Sequence, residues 1–174
     1  ALFVGLIGLF LITEKRHKTP FVPLSLFANR RFSFATAFSA TQLLTMFAIV
    51  LLVSVYLQEV TGLDPAIAGL LVAGLSIARI IFEPIAGRVA ELRGSRFPAL
   101  IGIGLLVAVA LSFALGLTPR TPGWLIFAGM FAFGVGISFG RTPVNAAVTH
   151  LVERERLGLA LGVFSMITFT GGAL

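Results

Sequence analysis

The sequence predicts an all-α membrane protein, a polytopic helical bundle, and three observations carry that expectation. Six apolar stretches run along the 174 residues, at 1–12, 34–57, 66–87, 97–117, 124–149 and 158–174. Apolar residues make up 57% of the chain and charged residues 11%, against about 25% charged in ordinary soluble domains. The basic residues also fall in alternate connections. Lys15, Arg16, Lys18, Arg30 and Arg31 follow the first stretch, Arg88, Arg93 and Arg96 the third, and Arg154 and Arg156 the fifth; the intervening connections hold Arg120 alone. This alternation is the positive-inside pattern of a multi-pass protein. It places the connections 13–33, 88–96 and 150–157 on the cytoplasmic side of the inner (plasma) membrane.

The elements follow in order. A hydrocarbon core about 30 Å thick needs about 20 apolar residues in a helix. Stretch 1–12 is too short, and the last one stops in mid-run at Leu174. Both ends are therefore expected to be cut from a longer polypeptide, with 1–12 the remnant of a membrane helix and no signal peptide. Pro20 and Pro23 keep 13–33 from becoming helix early, and Leu24, Leu26, Phe27 and Phe32 beside Asn29, Arg30 and Arg31 suggest a segment lying in the membrane surface. From there 34–174 forms the bundle. Asp64 is the expected N-cap and Pro65 the first residue of the third stretch. Tyr56 and Trp124, the one Tyr and the one Trp, mark outer helix ends.

Polarity ranks the helices. Stretch 97–117 contains only Ser112 as a polar side chain and suits lipid. Stretches 34–57, 66–87 and 124–149 carry Gln42, Thr45, Arg79, Glu83, Arg141, Thr142 and Asn145 among others. Such groups must face protein or a wet cavity. Gly136/Gly140 and Gly158/Gly162 offer small-residue spacings for close helix contact.

Three constellations are candidate sites. Arg79 and Glu83 are four apart and share a helix face; with Arg141 they form an intramembrane charge cluster suited to proton coupling. From Arg88 and His150 as helix ends, Glu83 lies roughly 7 Å deep and both arginines about 13 Å. A fixed salt bridge that only neutralises costly charge is the plainer reading. Pro143 interrupts the backbone ladder beside Thr142 and Asn145; with Gln42 and Thr45 these are the substrate-cavity candidates. The connection PIAGRVAELRGSR, bounded by Gly87 and Gly94 and bearing Arg88, Glu91 and Arg96, suits a cytoplasmic latch, or serves only as a topological stop signal. No cysteine, metal-ligand spacing, nucleophile–base set or phosphate-cradling loop is present. No cofactor, metal, enzymatic activity or nucleic-acid partner is expected; the basic residues orient the chain and meet anionic headgroups.

Gly87, Glu91, Gly94 and Arg96 resemble the cytoplasmic signature of the major facilitator superfamily, with Glu91 where Asp is usual and Leu92 where a basic residue is common. The order EKRHKTPFVPLSLFANRRFSF, a helix, YLQEVTGLDPAIAGL, then PIAGRVAELRGSR is similar to the C-terminal part of the fourteen-helix drug:proton antiporter branch. The resemblance implies a partial major facilitator fold: the last central helix plus five of the six C-terminal-half helices. It implies a secondary active transporter working by alternating access, exporting drug-like amphipathic or cationic small molecules in exchange for protons. The implied partners are the lipid bilayer, substrate, protons and an N-terminal half of the same chain. An importer of nutrients or metabolites on the same fold, and a non-transporting membrane scaffold, are the alternatives. The resemblance also assigns the latch role to Gly87, Arg88, Glu91, Gly94 and Arg96.

Overall fold

A computed structural model describes residues 29–150 and 157–172. They form five helices: α1 (Arg30–Val55, continued by a wider turn at Tyr56–Val60), α2 (Pro65–Arg93), α3 (Arg96–Gly116), α4 (Gly123–His150) and α5 (Leu157–Gly172). The expected helix at 1–12 and the segment 13–28 lie outside the described residues, as does most of the connection 150–157. Four helices, covering Arg30–Val60, Pro65–Arg93, Arg96–Gly116 and Gly123–Ala146, are long and apolar enough to cross a membrane.

Two helix ends differ from the sequence expectation, each for a local reason. Helix α1 begins at Arg30 rather than 34, because the Asn29 side chain caps it by accepting from the Arg31 amide at 3.0 Å. Phe32, expected at the membrane surface, is instead 1% exposed and packs with Val148, Ala160 and Phe164. Helix α2 runs on from the expected end at 87 to Arg93, through Pro84. Of the connection 88–96, only Gly94 and Ser95 lie between helices. Gly87 does not turn the chain, whereas Gly94 does so with φ +76°, a conformation that side chains disfavour. The 29 residues of α2 measure roughly 43 Å. The hydrocarbon core is about 30 Å, so the final turns with Arg88, Glu91 and Arg93 project beyond it.

The start of α2 matches expectation: Asp64 accepts from the Ala66 amide at 2.8 Å, with Pro65 next. At the same end of the bundle Thr61 donates its amide to Tyr56 five residues back, at 3.2 Å. The Tyr56 hydroxyl donates to the Thr118 carbonyl, tying α1 to the α3–α4 connection. Trp124 stands exposed at the start of α4. Arg30, Arg31, Arg88, Arg93 and Arg96 all gather at the opposite end, while Arg120 stays here.

Helix α4 is the centre and the most buried of the four spanning helices; α3 is the least buried. The α2–α4 pair runs parallel, with Gly74 against Phe127, Leu75 and Ala78 against Gly134, and Gly87 facing Thr142, whose methyl a Cβ on Gly87 would meet at 3.7 Å. The α3–α4 pair runs antiparallel, from Gly102 beside Gly136 and Gly140 to Phe113 over Gly129. Among the described residues the bundle therefore uses Gly136/Gly140 as a close-contact seam. Gly158 and Gly162, the other such spacing, face open space. Helix α5 lies parallel to α1, with Ala40 against Gly171. Ile126, Met130, Phe133 and Ile137 of α4 make the spine of the main apolar core, completed by Val53, Leu57, Leu75 and Val109.

A Cβ at Gly102 would lie 2.4 Å from the Gly140 nitrogen and 2.7 Å from the Gly136 oxygen, whereas one at Gly104 meets nothing within 4 Å. Overpacked cores lose about 1–3 kcal/mol. Gly102→Ala in the full-length protein is expected to lower the detergent melting temperature by several degrees and Gly104→Ala to leave it unchanged; equal melting of the two would contradict the seam.

Candidate functional site

Helices α2 and α4 bring the three expected intramembrane charges to one region. The Arg79 guanidinium meets a single Glu83 oxygen twice, through Nε at 2.8 Å and Nη2 at 2.6 Å. Their i, i+4 spacing on α2 makes this a local contact that needs no tertiary partner. Neither side chain is fully buried, with exposures of 28% for Arg79 and 40% for Glu83. Beside it Phe82 packs edge-on to Phe131 (6.1 Å between ring centres) and against Phe139 (6.4 Å). The charges thus lie next to an aromatic contact between α2 and α4.

Arg141 is half-buried on α4. Among the described residues the only ion pair is Arg79–Glu83, so no carboxylate lies within 4 Å of Arg141. The expectation of a carboxylate between two guanidiniums becomes, in the structure, a closed pair with a third charge nearby. Measured from the observed end of α2 at Arg93, Glu83 sits roughly 15 Å along the helix and Arg79 about 21 Å. Because the turns from Arg88 to Arg93 project beyond the hydrocarbon core, these are lengths along the helix, and the depths in the membrane remain those reckoned from Arg88.

Arg141 also lines a cavity of about 390 Å³ between α4 and α5. Thr142 and Asn145, expected at a cavity, line it too, while Gln42 and Thr45 do not. The helix continues through the buried Pro143. Pro143 lacks an amide hydrogen for the backbone ladder, and Arg141, Thr142 and Asn145 flank it. Gln42 lies instead in the α1–α4 contact: a Cβ on Gly140 would sit 2.4 Å from its Nε2. Both of its amide atoms are buried without a hydrogen-bond partner. Thr45 donates its hydroxyl to the Thr41 carbonyl at 2.8 Å and so serves its own helix.

Sequence reasoning missed Thr149, Ser165 and Thr168, all of which line the cavity; the Oγ1 of Thr168 and the Oγ of Ser39 are buried without partners among the described residues. Hydroxyls at 165, 168 and 170, within an otherwise apolar run, were the available signal.

The basic end presents the expected latch residues differently. Gly87, Arg88 and Glu91 ride on the last turns of α2, Gly94 makes the turn and Arg96 opens α3. Arg88, Glu91 and Arg96 are exposed, and Arg93 lies 5.5 Å from the centre of the Phe97 ring, a cation–π contact that braces the turn.

With this geometry established, a sequence profile of the Major Facilitator Superfamily matches residues 1–174, the whole chain. The chain belongs to the Major Facilitator Superfamily. Among its relatives, the multidrug resistance protein Stp of Mycobacterium tuberculosis (strain CDC 1551 / Oshkosh) is 29% identical over 158 residues, 91% of this chain and 29% of that protein. The quinolone resistance protein NorB of Staphylococcus aureus (strain JH9) is 27% identical over 175 residues, 99% of this chain and 37% of that protein. The chain spans about a third of the length of these curated relatives. It is a multi-pass plasma-membrane protein of a transporter superfamily, with a partial, wholly helical version of the fold among its described residues. Resemblance to the drug:proton antiporter branch agrees with the names of both relatives.

Removing one member of a desolvated ion pair strands the other charge. In the full-length protein Arg79→Gln is therefore expected to lower the melting temperature more than the double change Arg79→Gln/Glu83→Gln does, with a coupling of about 1 kcal/mol in a double-mutant cycle. Additive losses would show that the two side chains do not support each other.

Proposed function

We propose that this superfamily member is part of an alternating-access transporter that exports drug-like, amphipathic small molecules in exchange for protons. One observation carries the proposal: a closed Arg79–Glu83 pair within a spanning helix, with Arg141, which pairs with no described carboxylate, on the neighbouring helix that lines a cavity. Ionisable groups at membrane depth are costly and mark ion and substrate pathways. Glu83 is the proton-exchanging group, and Arg79 is its counter-ion. Protonation releases Arg79 from the pair and changes the net charge beside Arg141. A change at α2 is thereby felt at the α4–α5 cavity without direct contact between Glu83 and substrate. The relatives named for multidrug and quinolone resistance support export and a drug-like substrate for the whole protein.

The basic end acts as a latch in this reading. Arg88 and Glu91 stand on a projecting helix end, exposed to whatever docks there, and the two-residue Gly94–Ser95 connection transmits movement from α2 to α3.

Glu83→Gln in the full-length protein is expected to abolish drug-driven proton flux in everted vesicles while the protein still inserts; unchanged flux would remove Glu83 from the mechanism. Arg96→Ala is expected to slow turnover without altering substrate affinity. Parallel loss of both would place Arg96 in folding rather than in the cycle.

A further inference from the structure

We propose that the α4–α5 cavity binds an organic anion, an apolar or aromatic body bearing a carboxylate, with Arg141 as its counter-ion. Charge balance leads there first. Arg79 is neutralised by Glu83, whereas Arg141 has no carboxylate within 4 Å among the described residues, so its positive charge reaches the cavity wall uncompensated. A buried charge is stable only when it is paired and hydrogen-bonded. Among the described residues no acidic side chain lines the cavity, so an organic cation would find no partner among them and would be repelled by Arg141. The planar guanidinium instead matches a carboxylate through two parallel hydrogen bonds.

The rest of the lining fits such a ligand. Thr168 is 1% exposed, borders the same cavity as Arg141, and its Oγ1 has no hydrogen-bond partner among the described residues. Buried polar atoms are normally satisfied, and the Thr168 hydroxyl can donate to the second carboxylate oxygen. Leu161, Phe164 and Phe169 supply an apolar wall for the body of the molecule. The volume of about 390 Å³ falls in the range of sites for drug-sized ligands, about 300–1,000 Å³.

This deepens the transport reading by naming a substrate class, but binding needs no gradient and is measured apart from transport. The test uses the full-length protein in lipid nanodiscs, with equilibrium binding of 1-naphthoate, its neutral amide 1-naphthamide and the cation 1-naphthylmethylammonium. Wild-type protein is expected to bind naphthoate about tenfold or more tightly than the amide, as a charge-assisted pair implies, and the cation weakest. Arg141→Gln is expected to erase the preference for naphthoate while leaving amide binding unchanged. Thr168→Val, close in shape, is expected to weaken naphthoate binding about threefold.

Equal wild-type affinity for naphthoate and amide overturns the proposal; it is the result expected where a carboxylate elsewhere in the full chain already pairs with Arg141. A preference for the cation overturns it as well. Should Arg141→Gln fail to insert, the wild-type comparison and Thr168→Val decide the matter. A carboxylate preference that persists in a protein lacking proton antiport removes the transport mechanism and leaves this site standing.

Discussion

Helix α4 lies against α2 on one side and α3 on another, at distances that leave no room for side chains, and the remaining architecture depends on that double contact. In lipid no hydrophobic force drives one apolar helix onto another, so association rests on close packing and polar contacts. Gly134 lets the backbone of α2 approach at Leu75, and Gly136 and Gly140 admit Gly102 of α3. A methyl group on Gly102 or Gly134 would meet backbone atoms of the neighbouring helix at 2.4 and 2.5 Å, and one on Gly136 would crowd Leu106 at 3.0 Å. Glycine weakens a helix in water, but here it converts a hydrocarbon-soluble rod into one with a defined partner. The register so fixed sets Gly87 against Thr142, and thereby brings the Arg79–Glu83 turn of α2 near Arg141 of α4.

The polar groups divide into two kinds. Some are closed within their own helix: Thr36 donates to Phe32, Thr41 to Ala37, Thr45 to Thr41 and Ser138 to Gly134, all four residues back. Such hydroxyls are inexpensive in a membrane because the backbone satisfies them. The second kind is committed to nothing among the described residues: Ser39, Gln42, Asn145 and Thr168 keep buried oxygen or nitrogen atoms without partners. They stand on α1, α4 and α5, while the closed ion pair stands on α2. Of these, Gln42 lies against Gly140, at the edge of the α3–α4 seam.

Much of the fold was legible because a membrane asks little of a sequence beyond length and apolarity. Span number and order, the Asp64–Pro65 start of α2 and the exposed position of α3 all follow from composition and local capping. The ends of α1 and α2 at the basic side were harder. Arg30, Arg31 and Arg88–Arg93 are as polar as a loop, and hydropathy cannot tell a projecting helix from the connection after it. Gly87 and Gly94 look alike in sequence; only the backbone shows that one packs and the other turns. The charge cluster was legible as far as the Arg79–Glu83 spacing, since i, i+4 on one helix fixes a distance. Whether Arg141 closed onto the pair depended on the tertiary α2–α4 register, which no local pattern encodes. Gln42 illustrates the same limit: its polarity announced an inward face, but the element it faces is set by Gly140.

The glycine seams also sort the bundle into two parts. Helices α2, α3 and α4 interlock through backbone contact, whereas α1 and α5 lie parallel to each other, and α5 touches α4 only sparingly. Ser39 and Gln42 on one part and Asn145 on the other contribute no hydrogen bond across the division, and neither does Thr168. Shifting α5 would rupture none of the side-chain bonds described, whereas α1 stays tied to the α3–α4 connection by the Tyr56 hydroxyl. A displacement of α5 would thus resize the compartment walled by Arg141 while the ion pair on α2 stayed intact.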